Sequence, residues 1–213
     1  MSAIRKFRLA TATARLIARG RPGESHAEGY LPETGERRSF VHVAGPKCIA
    51  THVTTDGEEE YEIPLGHGRA LLEICADQRR VLFYERIPIE IPGTTSAHVD
   101  RVKKPYPIDL LTLAFSDADA ALAYRLPGFV GSEVSNDPEF DNRAIATNAT
   151  NPGPGPTEVS NDGLNALLDL LEGRLTIEGE RPSGPHRLKV FENSKPPQND
   201  FERALGLPDT ASA

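Results

Sequence analysis

The sequence has little of several features, and each shortage excludes a class of protein. Its 213 residues include only two cysteines, Cys48 and Cys75, too few for a disulfide scaffold or a structural zinc site. It has no tryptophan, and no apolar run approaches the ~18–20 residues that span a bilayer, so no membrane association is expected. Acidic residues outnumber basic ones by seven, which argues against general nucleic-acid binding.

The remaining composition is that of an ordinary folded chain. Apolar residues make up 38% and charged residues 26% of the sequence, values typical of a soluble globular protein with a real core. Two cysteines that do not form a disulfide framework are typical of buried thiols in a reducing compartment. We therefore predict a cytoplasmic location.

The N-terminal segment is strongly basic and allows two interpretations. Six cations precede the first acidic residue, Glu24: Arg5, Lys6, Arg8, Arg15, Arg19 and Arg21. Together with its alanines and threonines this segment is similar to a mitochondrial presequence. The alternation of apolar and polar residues from 4 to 9 instead predicts a half-buried strand.

Short strands with few helices are predicted over the first 146 residues. The helices are expected at 69–76 and 117–126, where apolar residues or alanines follow helical spacing. The strands are expected at 4–9, 39–44, 47–54, 60–64, 80–89, 98–102 and 108–115. So many antiparallel strands in one small domain indicate an all-β to α+β fold built as a sandwich or a closed barrel.

The character of the chain changes after Thr147. Proline and glycine alternate over 148–161 and cannot hold a helix or a central strand, so this stretch is predicted to be a linker. We predict a first domain over 1–147 and, over 162–213, a helix followed by a weakly ordered tail. Leucines between 164 and 171 form an apolar stripe on that helix. The stripe packs either on its own domain or on a protein partner.

Polar residues at every second strand position are the candidate site residues. Glu60 and Glu62 project from one face of a strand, and His98 and Asp100 repeat the spacing. Glu60 and Glu62 either form a solvated outer face or point inward, where such a pair suits a hard cation such as Mg²⁺ or Mn²⁺. His42 lies in mid-strand, where a lone histidine is usually structural.

Four stretches, in the same order, resemble the CYTH or triphosphate tunnel metalloenzyme superfamily. They are IRKFRL (4–9), AEGYLP (27–32), EEYEIPLG (59–66) and LPGFVGSEVSNDPEFDNRAIA (126–146). This superfamily includes class IV adenylate cyclases, thiamine triphosphatases and inorganic triphosphatases. The resemblance implies a closed eight-stranded antiparallel tunnel with short flanking helices. Inside it, basic residues bind triphosphate and acidic residues bind Mg²⁺ or Mn²⁺.

The resemblance is poor along the expected tunnel wall. Lys6 matches the lysine of the opening motif, but the two glutamates of that motif fall on Ser2 and Ile4. Other positions that should be charged fall on Phe40, His42, Val53, Glu58, Thr112 and Ala114. The middle basic pair falls near Phe83 and Glu85, and a one-residue bulge would bring Arg86 inward. A wall with so few cations should neutralise a polyanion poorly.

Three hypotheses follow from this altered wall. The preferred one is a degenerate tunnel that binds a phosphorylated small molecule or nucleotide, or acts as a scaffold, with little or no triphosphatase activity. The alternative is a divergent triphosphatase or nucleotidyl cyclase that needs Mg²⁺ or Mn²⁺. In that enzyme Lys6, Arg86 and Arg143 would hold phosphate, and Glu60, Glu62 and Asp100 would hold the metal.

The third hypothesis replaces the triphosphate site with another metal centre. His42 and His98 would then join Glu60, Glu62 and Asp100 as ligands. Mixed imidazole and carboxylate ligation suits zinc, iron or manganese.

Overall fold

The computed structural model describes residues 2–35, 37–148, 151–153, 155 and 159–176. Backbone contacts divide the chain into two units, Met1–Glu180 and Arg181–Ala213, and every described residue lies in the first. The weakly ordered tail predicted beyond Pro182 therefore lies outside the described residues. The domain boundary at Thr147 stays a prediction.

The described residues form eight strands, five α-helices and one 3-10 turn. The strands are β1 Ala3–Arg8, β2 Glu24–Tyr30, β3 Arg38–Ala44, β4 Lys47–Thr54, β5 Gly57–Glu62, β6 Val81–Ile89, β7 Ser96–Lys104 and β8 Ile108–Phe115. The helices are α1 Thr11–Ala18, α2 Leu65–Asp77, α3 Ala118–Ala123, α4 Asn142–Thr147 and α5 Asn161–Leu171, with the 3-10 turn at Pro138–Phe140. None of the described helices is long and apolar enough to cross a membrane.

All eight strands belong to one antiparallel sheet in the order β1-β8-β7-β6-β2-β3-β4-β5. An α+β fold is therefore confirmed, but the prediction of a closed tunnel or barrel is wrong, because the sheet is open. The structure shows what occupies the free edge of β1. Backbone hydrogen bonds join Arg8 N to Ser132 O (2.9 Å), Gly131 N to Arg8 O (3.1 Å) and Val134 N to Lys6 O (2.8 Å). The segment 131–134 thus takes the backbone groups that β5 would need to close the sheet.

Four helices cover the outer face of the sheet. On β1, β6, β7 and β8 this face buries an apolar layer against α1, α3 and α5, with Phe7, Ile17 and Leu113 fully buried. On β3 and β4 a smaller cluster of Val41 and Cys48 packs against Leu72 of α2. Alternate strand residues thus supply most of the hydrophobic core, as the period of two requires.

The inner face is divided between an apolar and a polar region. One end of it is filled by a cluster that we call the apolar plug, to which the 3-10 turn and α4 contribute. The apolar plug consists of Tyr30, Leu82, Tyr84, Val102, Ile108, Leu110, Val134, Phe140, Ile145 and Ala146. These side chains occupy space that a tunnel running the full width of the sheet would need.

The leucine stripe predicted after the linker is largely explained by packing within the first unit. Leu167 and Leu170 of α5 are buried in the outer apolar layer, while Leu164 and Leu168 are about half exposed. Ser160 caps the helix through a hydrogen bond from Gly163 N at 3.0 Å. Of the two expected uses of the stripe, packing on its own domain accounts for the buried leucines.

Candidate functional site

A band of polar side chains crosses the inner face next to the apolar plug. Residues directly opposite each other in neighbouring strands point to the same face, so the strand register places them. It aligns Lys6 with Thr112, Thr112 with His98, and Asp100 with Arg86. We call this set the polar band, and it consists of Lys6, Glu24, His26, His42, Arg86, His98, Asp100 and Thr112.

Arg86 reaches the inner face through the ordinary alternation of β6 and not through the bulge that the sequence comparison required. The register of β6 against β7 shifts between Phe83 and Tyr84. The extra residue is Lys103 of β7, because β6 pairs with β2 without a break. Alternation along β6 therefore points Leu82, Tyr84 and Arg86 inward and Glu85 outward. Glu85 instead pairs with Lys103 at 3.1 Å on the outer face.

The two nitrogens of Arg86 on one edge of its guanidinium bind Asp100 in bidentate fashion. Nε donates to Oδ1 and Nη2 donates to Oδ2, each at 2.8 Å. His98 Nε2 lies 3.4 Å from the same Oδ2. Burial alone would raise the pKa of Asp100, but hydrogen bonds from Arg86 and His98 outweigh it and lower the pKa to about 2. Asp100 therefore stays ionised at any physiological pH.

His26 and His42 form a second contact within the polar band. His26 Nδ1 lies 2.9 Å from His42 Nε2, so one ring donates to the other. The His26 ring stacks between His42 and Tyr84, with centroids 5.2 and 4.9 Å away. Burial, followed by the charge of Arg86, lowers the pKa of His26. Both features favour the neutral imidazole at neutral pH.

Glu28 joins the polar band to the apolar plug. Its carboxyl oxygens accept hydrogen bonds from Tyr30, from Tyr84 at 2.8 Å and from Asn142 Nδ2 at 3.0 Å. Burial, followed by the neighbouring charge of Glu28, raises the pKa of both tyrosines, so they remain neutral donors. This buried network fixes α4 against the inner face of β2.

The other two predicted phosphate ligands make different contacts. Lys6 Nζ donates to the backbone oxygen of Phe140 at 3.1 Å, a neutral partner. Arg143, in α4, forms an ion pair with Glu33 and lies with its guanidinium carbon 5.8 Å from the centre of the Tyr30 ring. Arg143 therefore sits beyond the apolar plug rather than in the polar band.

Glu60 and Glu62 lie on the inner face but at its far edge. Glu60 pairs in register with Thr51, and Glu62 with Ile49, which in turn pairs with His42. Every residue of β5 is exposed, including Tyr61. The two glutamates therefore point to the inner face but are exposed to solvent and do not form a buried pair. Four strands of the sheet lie between β5 and β7, the strand that carries Asp100.

The predicted metal ligands do not assemble into one centre. Across the part of the chain that the structure describes, no three His, Cys, Asp or Glu side chains converge in a way that could hold a metal ion. Asp100 is engaged by Arg86, His42 by His26, and the glutamates lie on the edge strand. The donor set present here therefore does not fit a resident Mg²⁺ or Mn²⁺, and neither does it form a zinc-type centre.

Sequence reasoning missed the inward-facing residues of β2. His26, Glu28 and Tyr30 stand at every second position of β2, the same signal that singled out Glu60 and Glu62. They lie in the stretch AEGYLP or just before it, where the family motif drew attention to glycine and tyrosine. The pairing of Arg86 with Asp100 had no sequence signal, because it depends on the register between β6 and β7.

Comparisons with known proteins support the fold. No family model and no curated protein matches the sequence. Two crystal structures of the protein NE1496 are similar, one described as a hypothetical protein and one as an inorganic triphosphatase. Each is 23% identical to this chain, with TM-scores of 0.59 and 0.58. They cover 69% and 72% of this chain and 98% and 97% of their own length. The chain therefore has a fold similar to that of an inorganic triphosphatase, as its resemblance to the triphosphate tunnel proteins led us to expect.

Proposed function

We propose that this protein binds a phosphorylated small molecule or nucleotide at the polar band and hydrolyses triphosphates slowly or not at all. The observation that carries the proposal is the bidentate pairing of Arg86 with Asp100 on the inner face. A tunnel enzyme needs its arginines for the substrate, whereas this arginine already holds an internal carboxylate.

The charge balance of the polar band supports this reading. Lys6 and Arg86 are its permanent cations, and Asp100 and Glu24 are its carboxylates. Arg8, on the same face of β1, instead donates to Gly153 O and lies over the Phe140 ring of the apolar plug. Two unit charges about 4 Å apart interact by about 4 kcal/mol at an effective dielectric constant of 20, so each neutralised cation matters. A band with balanced charge can hold a small phosphorylated ligand, but it stabilises a highly charged transition state poorly.

Donor groups of the polar band set the chemical class of the ligand. Lys6 contributes an ammonium group that donates to a carbonyl oxygen. Thr112 lies directly next to Lys6 in the strand register, and His98 lies next to Thr112 on the following strand. Ammonium, imidazole and hydroxyl groups are donors that suit phosphate oxygens. The same side chains offer little apolar surface for a neutral ligand.

The alternative is a divergent metal-dependent triphosphatase. The likeness to a crystal structure described as an inorganic triphosphatase favours it, as does the position of Glu60 and Glu62 on the inner face. In that case the glutamates would have to approach Asp100, and the metal would enter with the substrate. The ion pair between Asp100 and Arg86 does not favour an approach of Glu60 and Glu62 to Asp100.

Binding and turnover separate the two functions. Calorimetric titration with tripolyphosphate and ATP measures binding, and phosphate release with tripolyphosphate, ATP and thiamine triphosphate measures turnover in Mg²⁺ and in Mn²⁺. We expect binding that Lys6→Gln weakens. The control is Lys103→Gln, on the outer face of β7, which should bind as the natural protein does.

A turnover above about 1 s⁻¹, within the ordinary range of enzymes, would refute the proposal. Glu60→Gln should then abolish that activity, while Glu59→Gln, on the other face of the same strand, should keep it. If neither substitution changes the activity, it does not come from this site. Absence of any binding would refute both functions.

A further inference from the structure

Asp100 occupies the part of Arg86 that is best suited to an oxyanion. An arginine binds carboxylate and phosphate through the same pair of parallel N–H groups. In the structure Nε and Nη2 of Arg86 point at the two oxygens of Asp100, with equal distances of 2.8 Å. The carboxylate thus stands where two oxygens of a bound phosphate would otherwise lie.

The pair remains within reach of a ligand. The Arg86 side chain is 34% exposed, whereas that of Asp100 is 11% exposed, so the guanidinium is the more accessible partner. Within the described residues, Nη1 of Arg86 makes no hydrogen bond. A ligand that approaches this nitrogen meets an arginine whose charge is already largely compensated.

Asp100 keeps its negative charge over the physiological pH range. The pKa of Asp100, about 2, keeps the carboxylate ionised under all physiological conditions. Oδ2 of Asp100 also lies 3.4 Å from Nε2 of His98, two residues away on β7. The internal anion is therefore always present when a ligand arrives.

We propose that Asp100 is a built-in competitor that limits the affinity of the polar band for phosphorylated ligands by occupying Arg86. This inference rests on the proposed function, because it concerns the same ligand class and the same site. It makes Asp100 a determinant of affinity and selectivity: only ligands that contact Nη1 or displace the carboxylate bind well.

A matched pair of substitutions tests the inference. Asp100→Asn keeps the shape of the side chain and removes its charge. The control, Asp109→Asn, removes the same charge from a carboxylate that is also buried and also paired with an arginine, Arg101, at 3.1 Å on the outer face of β7 and β8. Binding of tripolyphosphate is measured by calorimetry in EDTA, so that neither bound metal nor hydrolysis contributes.

We expect Asp100→Asn to bind tripolyphosphate about tenfold more tightly than the natural chain or more, because one nearby negative charge is gone. Asp109→Asn should bind tripolyphosphate within about twofold of the affinity of the natural chain. The double variant R86Q/D100N should not show the increase in affinity that Asp100→Asn shows. Equal or weaker binding by Asp100→Asn would overturn the inference and make Asp100 a positioning residue for Arg86. The proposed function would still stand, since the natural chain binds. An equal gain in both single variants would also overturn it, because net charge would then explain the effect.

A measurement on the natural chain covers the case in which Asp100→Asn does not fold. The Nε–H signal of Arg86 in a nitrogen-edited NMR spectrum reports its hydrogen bond to Asp100. Saturating tripolyphosphate should shift this signal, while that of Arg101 should stay in place. Binding without any change at Arg86 would overturn the inference alone. Absence of binding in every protein would overturn the proposed function and the inference with it.

Discussion

The side-chain amide of Asn142 donates to both carboxyl oxygens of Glu28, at 3.0 and 3.3 Å. This contact joins residues that are 114 positions apart and attaches α4 to β2. Because Tyr84 of β6 also donates to Glu28, a single side chain of β2 holds two other elements of the inner face, α4 and β6. The network explains why one end of the inner face is filled rather than open.

The Glu28 network predicts a cost for changing its acceptor. Glu28→Gln replaces one acceptor oxygen with an NH₂ group that meets hydroxyl or amide donors, so at least one buried hydrogen bond is lost. We expect the free energy of unfolding to fall by about 1–3 kcal/mol in urea titrations. Glu58→Gln, on the exposed strand β5, should change it by less than about 0.5 kcal/mol. An equal effect of both substitutions would show that Glu28 is not held as described.

The pairing of Asp100 predicts how stability depends on pH. Its pKa is about 2 in the folded state, below the ordinary value of 3.8, so ionisation favours folding. This contribution of about 2 kcal/mol is fully present above about pH 5 and is lost as the pH falls towards 2. The difference in unfolding free energy between the natural chain and Asp100→Asn should therefore shrink between pH 5 and pH 2.5. A difference that stays constant over that range would contradict the assigned pairing.

Packing of α2 on the sheet predicts opposite effects at two glycines of that helix. A Cβ on Gly68 would lie 2.0 Å from Cys48 Sγ, whereas a Cβ on Gly66 would meet no atom within 4 Å. We expect Gly68→Ala to lower the free energy of unfolding by about 1–3 kcal/mol. Gly66→Ala should be neutral or stabilise by up to about 1 kcal/mol through helix propensity.

The double variant of Gly68→Ala with Cys48→Gly checks the cause. If the clash with Sγ is responsible, removing the sulfur should recover part of the lost stability. Additive losses from the two changes would place the effect elsewhere. Thermal unfolding followed by circular dichroism gives all four values under one set of conditions.

Local patterns were enough to predict most of the strands. Residues 47–54 and 108–115 were predicted as strands with the bounds that β4 and β8 have, because runs rich in β-forming side chains are a local property of the sequence. The inward position of Arg86 was predicted only on condition of a bulge, but Arg86 points inward by the regular alternation of β6, and the bulge lies in β7. Lys6, Glu60 and Asp100 share the inner face, as the family register implied.

Long-range features could not be read from the sequence. The open edge of the sheet depends on hydrogen bonds from residues 131–134 to β1, which are far apart along the chain. Likewise, no local pattern indicated that Arg86 and Asp100 neutralise each other, because Arg86 was assigned to phosphate and Asp100 to metal separately. Both errors arise because each strand was interpreted separately. Contacts between strands decide which backbone groups are paired and which charged side chains are free to bind a ligand.

Two neighbouring leucines of α5 test whether that helix belongs to the core or serves a partner. Leu167 is 2% exposed and lies in the outer apolar layer, while Leu168 is 45% exposed. We expect Leu167→Ala to lower the free energy of unfolding by about 2–4 kcal/mol through the lost burial and the cavity left behind. Leu168→Ala should cost less than about 0.5 kcal/mol in the same urea titration. Similar small costs for both would mean that α5 does not pack on the sheet in solution and that its apolar stripe is free for another protein.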